Sequence, residues 1–301
     1  MTRRVLVLMG GWSAEREVSL VSGAAVSQAL KSRGCEVVTV DAQRDVAALL
    51  TRFYPRPDVV FNALHGRFGE DGCVQGILDI LGIPYTHSGL MASALAMDKP
   101  MARRLFAHAG IPVAEGKVVS RDEMKNGDPL PRPYVVKPLN EGSSVGVRVV
   151  SPKDEIAPFA GESWPYGARV LVEAFIPGRE LTVAVMGGRP LAVTEIMTDH
   201  VFYDYSAKYA TGGSRHLLPA PLPAAVTEKA LRLALLAHET LGCRGVSRAD
   251  FRFDGERLVI LEVNTQPGLT PTSLVPEQAA HVGMEFADLV WWMVENATCD
   301  A

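Results

Sequence analysis

The chain has 301 residues, 48% hydrophobic and 21% charged, with a net charge of −4, a length that holds two or three domains with sizeable cores. The absence of a basic block argues against a nucleic acid partner, and no stretch approaches the ~18 uncharged apolar residues of a membrane span. Cys35, Cys73, Cys243 and Cys299 are scattered without CxxC spacing, which argues against a zinc site or disulfide framework and for free thiols in a reducing cytoplasm.

The first ninety or so residues alternate strand and helix. Arg4–Met9 reads as a strand, because its apolar run breaks at Gly10-Gly11 and turns charged, too short for a signal peptide. Val18, Val21, Ala25 and Ala29 recur at helical spacing between Ser13 and Arg33, with Ser13 as candidate N-cap. Glu36–Val40 and Asp58–Leu64 follow as strands, Cys73–Leu81 as a helix, and Tyr85 on a fourth strand. Strands separated by helices imply parallel βαβ units.

Lys99–Ala109 is helical and ends at Gly110. The chain then reads as strands with turns over Val113–Val119, Tyr134–Lys137, Val147–Val150 and Arg169–Phe175, with Asn126–Pro133 a Pro-rich connection. Strands Leu181–Met186 and Leu191–Ile196 flank Gly187-Gly188, and a long polar loop, Thr198–Pro219, follows. Val226, Ala230, Leu233, Ala237 and Leu241 mark a helix; strands Val246–Phe253 and Arg257–Val263 and a helix near Met284–Ala297 complete the chain.

The most informative pair of segments is SRADFRF (247–253) with VILEVNTQPG (259–268). Strand side chains alternate faces, so Arg248 shares one with Asp250, and Glu262 with Asn264. A hairpin turning through Gly255-Glu256-Arg257 sets Asp250 opposite Glu262 and Arg248 opposite Asn264; a two-residue Asp254-Gly255 turn would spoil that register. Two carboxylates ~4 Å apart repel by about 4 kcal/mol at an effective dielectric of 20. A cation between them resolves the repulsion, and two carboxylates with an amide oxygen are hard ligands suited to Mg²⁺ or Mn²⁺. The competing reading is a solvated hairpin face, which leaves Asn264 and Pro267-Gly268 unexplained.

In YVVKPLNEGSSVGVRVV (134–150), Lys137 closes an apolar strand and a Gly/Ser loop follows. Small residues let backbone N–H groups approach phosphate oxygens, and the lysine adds a point charge. Gly142-Ser143-Ser144-Val145-Gly146 also fits the G-x-S-x-G elbow of serine hydrolases with Ser144 as nucleophile. That elbow requires strand–turn–helix, whereas VRVV reads as a returning strand. The Walker A pattern is absent, and GGWSAE lacks the third glycine of a dinucleotide fingerprint. Glu15, in a first helical turn, Lys99 at a helix start, and His65 in NALHGRFGEDG each have an ordinary structural explanation too.

GGWSAEREVSL, FNALHGRFGEDGCVQG, MDKPMARRLF, VVKPLNEGSSVGV, FYDYSAKY and LEVNTQPGLTPTSLVPE resemble, in order, the signature segments of D-alanine–D-alanine ligases, from about residue 5 to 290. The resemblance implies an ATP-grasp α/β architecture: a parallel βαβ N-terminal domain (1–95), then central (96–180) and C-terminal (181–301) α+β domains, with ATP between the last two. It implies that Lys99, Lys137 and the loop Glu141–Val147, including Ser144 and Val145, hold the phosphates. Glu173, Ala174 and Ile176 would line the adenine pocket and Glu180 would take the ribose, although Ala174 stands where many members carry lysine. Asp250, Glu262 and Asn264 would bind two Mg²⁺ (or Mn²⁺). Glu15 would accept the ammonium of the first D-alanine, aided by Ser143 and Tyr209, with His65 and Lys208 also at the substrate. Arg248 and the Gly268 N–H would stabilise the oxyanion, and Ser273 and Leu274 would hold the second carboxylate. The implied reaction makes D-alanyl-D-alanine for peptidoglycan through an acyl phosphate, under a lid at 198–219, in a cytoplasmic homodimer. The Lys208-Tyr209 pair, from which relatives preferring D-lactate depart, implies dipeptide rather than ester formation.

Overall fold

The computed structural model describes residues 2–140, 142, 146–154, 167–198 and 214–300. The chain opens with β1 (Arg4–Gly10), α1 (Arg16–Ser32), β2 (Glu36–Ala42), α2 (Val46–Arg52) and β3 (Val59–Asn62), then α3 (Cys73–Ile80) and α4 (Leu90–Met97). The strands are parallel in the order β2-β1-β3, as the strand–helix alternation implies. Tyr85 contributes a single rung rather than a fourth strand, bridging Val60 on one side and Thr298 on the other. Pro84, which has no N–H to donate, precedes it and prevents a longer ladder.

Two expectations for α1 need correction. Its N-cap position is Glu15, and Ser13 instead accepts the Glu15 N–H (3.2 Å) and donates to the His65 carbonyl (2.7 Å). The hydroxyl ties two loops together rather than capping a helix. Its buried face runs through Val18, Ser22, Val26 and Leu30, leaving Val21 exposed. Gly23 lets this face approach β1, since a Cβ there would lie 2.6 Å from the Met9 side chain.

The helix α5 (Lys99–His108) leads into β4 (Gly116–Ser120), α6 (Arg121–Lys125), β5 (Tyr134–Pro138), β6 (Arg148–Val150) and β7 (Arg169–Ala174), a sheet ordered β4-β7-β5-β6. Val113, expected in the first of these strands, makes only an isolated bridge to Ile260. The short α6, hidden among strand signals, is fixed by a reciprocal capping box between Ser120 and Glu123.

The last third forms β8 (Arg179–Met186), β9 (Arg189–Met197), β10 (Arg215–Leu217), α7 (Ala224–Thr240), β11 (Val246–Phe253), β12 (Leu258–Asn264), α8 (Leu274–His281) and α9 (Phe286–Glu295). The antiparallel order is β10-β9-β8-β11-β12. One face is covered by α5 and α7, whose Ala102, Phe106, Ala230, Leu233 and Ala237 pack on Val183, Phe251 and Val263. The other core joins Val5, Val7, Val26 and Leu30 to Ala184, Val275, Leu289, Val290 and Met293. The C-terminal helices therefore close onto the N-terminal sheet; each fully buried aliphatic side chain there contributes roughly 1.5–3 kcal/mol. All four cysteines are free, and burial pushes the Cys243 thiol up to about 12.

Candidate active site

The hairpin of β11 and β12 sets Asp250 opposite Glu262 and Arg248 opposite Asn264. The route to that register differs from the expected one. The loop has four residues, Asp254–Arg257, because Phe253 pairs with Leu258, and Asp254 Oδ1 accepts the N–H groups of Glu256 and Arg257. That loop alone would bring Asp250 opposite Leu261, but a bulge after Ile260 adds one residue and restores Glu262.

Among the described residues, four donor atoms reach Asp250 on this face. Arg248 Nε and Nη2 reach its two oxygens at 2.8 and 2.7 Å, Thr182 Oγ1 donates at 2.6 Å, and Asn264 Nδ2 at 3.0 Å. Lys99 Nζ lies 3.7 Å from Glu262 Oε2. The repulsion between the carboxylates is thus already relieved by Arg248 and Lys99, so relief of repulsion cannot by itself demand a metal. The case for a metal rests on donor chemistry instead. Among the described residues no group of three or more His, Cys, Asp and Glu could hold an ion, so the candidate set is two carboxylates and one amide. Turning the Asn264 amide over would present Oδ1 and free an acceptor position on Asp250, and its two orientations are close in shape. So arranged, the oxygens suit a hard cation that keeps waters and phosphate ligands.

A second charged cluster lies on the central sheet. Glu173 is 4% exposed, with Lys137 Nζ 2.5 Å from one oxygen and Arg103 Nε 2.6 Å from the other. Ile176 is buried beside Val259, Ala174 is half-buried, and Glu180 pairs with Arg252 at 3.2 Å.

On the N-terminal side, Glu15 is 6% exposed in a cavity of ≈ 240 Å³ lined by Trp12, Ser13, Gly66, Phe68 and Gly142. A Cβ on Gly142 would fall 2.8 Å from Glu15 Oε2 and 3.0 Å from Glu70 Oε1, so Gly142 lies close to two carboxylates. His65 Nδ1 is 4.0 Å from Glu70 Oε2, and Nε2 is 3.4 Å from Ser22 Oγ, which accepts the Leu269 N–H. His65 thereby stands between the N-terminal loops and the segment after Gly268. Ser273 occupies the N-cap position of α8 and accepts the Thr270 N–H at 2.9 Å, with buried Leu274 next. A helix start there suits a carboxylate.

Glu141, Ser143, Ser144, Val145, Lys208, Tyr209 and residues 199–213 of the expected lid lie outside the described residues. The end of that expected loop is corrected, because Arg215–Leu217 is strand β10, paired with Glu195–Met197 of β9. The strands around Ser144 nevertheless decide the hydrolase reading. β5 and β6 pair antiparallel, Tyr134 with Val150 and Val136 with Arg148, so the loop joins strand to strand and not strand to helix. Sequence reasoning missed Thr182, Arg103 and Glu70. Thr182 has no local signal and meets Asp250 only because β8 pairs with β11. Arg103 sits one helical turn after Lys99, and Glu70 in the HGRFGEDG segment, where a signal was available.

Residues 105–295 match the family described as D-ala D-ala ligase C-terminus, and residues 49–88 the one described as D-ala D-ala ligase N-terminus. The D-alanine–D-alanine ligase of Paramagnetospirillum magneticum is 64% identical and that of Rhodospirillum rubrum 61%, each over 100% of both chains. Among solved structures, a D-alanine–D-alanine ligase from Bacillus anthracis complexed with ATP is 31% identical with a TM-score of 0.83, over 98% of this chain and 97% of that one. The VanG D-Ala:D-Ser ligase of Enterococcus faecalis is 28% identical with a TM-score of 0.81, over 98% and 99%.

Proposed function

The chain belongs to the D-alanine–D-alanine ligase family, and on that premise we propose that it joins two D-alanine molecules at the expense of ATP. The observation that carries this reading is the polar face of Arg248, Asp250, Glu262 and Asn264 on two otherwise apolar strands, with Lys99 against it.

The carboxylate of the first D-alanine attacks the γ-phosphate, giving an acyl phosphate and ADP. Lys99 and Lys137 offset the negative charge that gathers on the phosphates. Asp250, Glu262 and Asn264 would hold Mg²⁺ or Mn²⁺, two ions in all, which supply further charge neutralisation. Glu15 receives the ammonium of the first D-alanine, and Glu70, close by, adds to the negative potential there. The amine of the second D-alanine then attacks the acyl carbon. Arg248 and the Gly268 N–H stabilise the oxyanion, while Ser273 and the start of α8 hold the second carboxylate. Phosphate leaves and the peptide bond remains. Ser143, Tyr209 and Lys208 belong to the same reading, with the part of 198–219 that precedes β10 as a lid that excludes water from the acyl phosphate.

Domains at 1–95, 96–180 and 181–301 are supported by the confinement of each sheet to one of these stretches, within two residues. A cytoplasmic homodimer completes the proposal, since ATP is supplied there. No helix among the described residues is long and apolar enough to cross a membrane. The test is phosphate release from ATP with D-alanine present or omitted, and products separated by chromatography. Dipeptide formation strictly dependent on ATP and D-alanine is expected, and ATP turnover without dipeptide overturns the reading.

A further inference from the structure

Lys137 and Arg103 come from different elements, and one buried anion contacts both. Glu173, on β7, is 4% exposed. Its two oxygens face two different cations, Lys137 Nζ from β5 at 2.5 Å and Arg103 Nε from α5 at 2.6 Å. Arg103 is itself 13% exposed, and its Nη2 donates to the Ala114 carbonyl. Its Nε–H is not aligned on an acceptor, so the contact with Glu173 is a charge contact and not a directed hydrogen bond. The approach needs Gly116, because a Cβ there would meet Arg103 Nη2 and Glu173 Cγ, each at 3.0 Å.

Charge counting shows what the arrangement does. Glu173 with Lys137 alone is a neutral pair, in which the carboxylate draws the ammonium back onto itself and offers little field to an incoming phosphate. Adding Arg103 leaves the three groups with a net positive charge, in a setting where weak screening makes that charge count. The same helix carries Lys99 four residues earlier, against Glu262 on the other sheet at 3.7 Å. One helix thus carries a cation to each of the two sheets.

We propose that Arg103 is a positioning residue for ATP: by sharing the buried carboxylate of Glu173, it leaves Lys137 with uncompensated charge directed at the nucleotide phosphates. The proposal rests on the reading of Lys137 as a phosphate ligand, and the two separate experimentally. The variants are Arg103→Met, Arg103→Lys, Lys137→Met, Glu173→Gln and the double variant Arg103→Met/Glu173→Gln. ATP affinity is measured by calorimetric titration, alongside KM for ATP and for D-alanine. Arg103→Met should weaken ATP at least tenfold and leave KM for D-alanine within twofold, whereas Arg103→Lys, which keeps the charge, should stay within threefold of the unaltered protein. In the Glu173→Gln background, where no carboxylate draws Lys137 back, adding Arg103→Met should change ATP affinity less than threefold. If Lys137→Met weakens ATP while folded Arg103→Met does not, or if Arg103→Met costs as much in the Glu173→Gln background as in the unaltered protein, the proposal is wrong. If Lys137→Met leaves ATP affinity intact, the phosphate-ligand reading itself fails, and the role of Arg103 with it. Should Arg103→Met not fold, Arg103→Lys decides, because a tenfold loss with the charge retained contradicts a role exerted through charge.

Discussion

Glu262 faces Asp250 across the hairpin because Leu261 bulges out of the ladder between them and Ile260. Without that extra residue Glu262 would shift to the apolar face, since a one-residue slip in a strand reverses every side chain beyond it. The bulge therefore decides whether the second carboxylate belongs to the site.

Glu262→Gln keeps the shape of the side chain and removes its charge, leaving Lys99 without that counter-ion. Turnover should fall at least a hundredfold while the protein remains folded, with a higher Mg²⁺ requirement. Near-normal activity at limiting Mg²⁺ would remove Glu262 from the metal set.

Thr182 Oγ1 donates to Asp250 at 2.6 Å from a fully buried position. A hydrogen bond to a charged group is worth about 1.5–3 kcal/mol. Thr182→Val should lower turnover roughly tenfold, in line with the tenfold that 1.4 kcal/mol represents. Steady-state kinetics checks this, and unchanged turnover would mean Asp250 is held well enough by Arg248 and Asn264.

Gly142→Ala inserts a methyl group within 3.0 Å of both Glu15 and Glu70. The expected outcome is a fall of at least tenfold in kcat/KM for D-alanine, with thermal stability little changed because Gly142 lines a cavity and not the packed core. An equal kcat/KM would show that these carboxylates lie away from the first substrate.

Burial pushes His87 down to about 3, with His65 and Arg244 adding to the effect, and His238 down to about 4. An unfolded histidine titrates near 6.5. Below that pH the unfolded chain binds protons that the folded chain refuses, so stability is full above about pH 6.5 and falls as pH drops toward 4. Each histidine contributes a slope of about 1.4 kcal/mol per pH unit. Carboxylates act in the same direction, so the discriminating measurement is urea unfolding of His238→Gln against the unaltered protein between pH 7.5 and 5. The variant should lose stability less steeply, and parallel curves would refute the assignment.

Periodicity and spacing in the sequence determined the parallel N-terminal unit, the β11–β12 hairpin with its four polar residues on one face, and the lysine at the foot of a Gly/Ser loop. These are local properties, fixed by side-chain alternation along a strand or by residues a turn apart. The ordered signature segments added the family and thereby the reaction. What escaped was of two kinds. Short helices such as α6 and α8 were masked, one by neighbouring strand signals and the other by Pro276, which is tolerated in a first turn. Contacts between distant segments left no trace in spacing at all. Thr182 reaches Asp250 only through strand pairing, Arg103 reaches Glu173 only when α5 packs beside the central sheet, and the core between Val26 and Leu289 forms only when the last helix returns to the first. The sequence names the groups that carry charge; which charges neutralise one another depends on distances between residues far apart in the chain, and only the folded structure sets those.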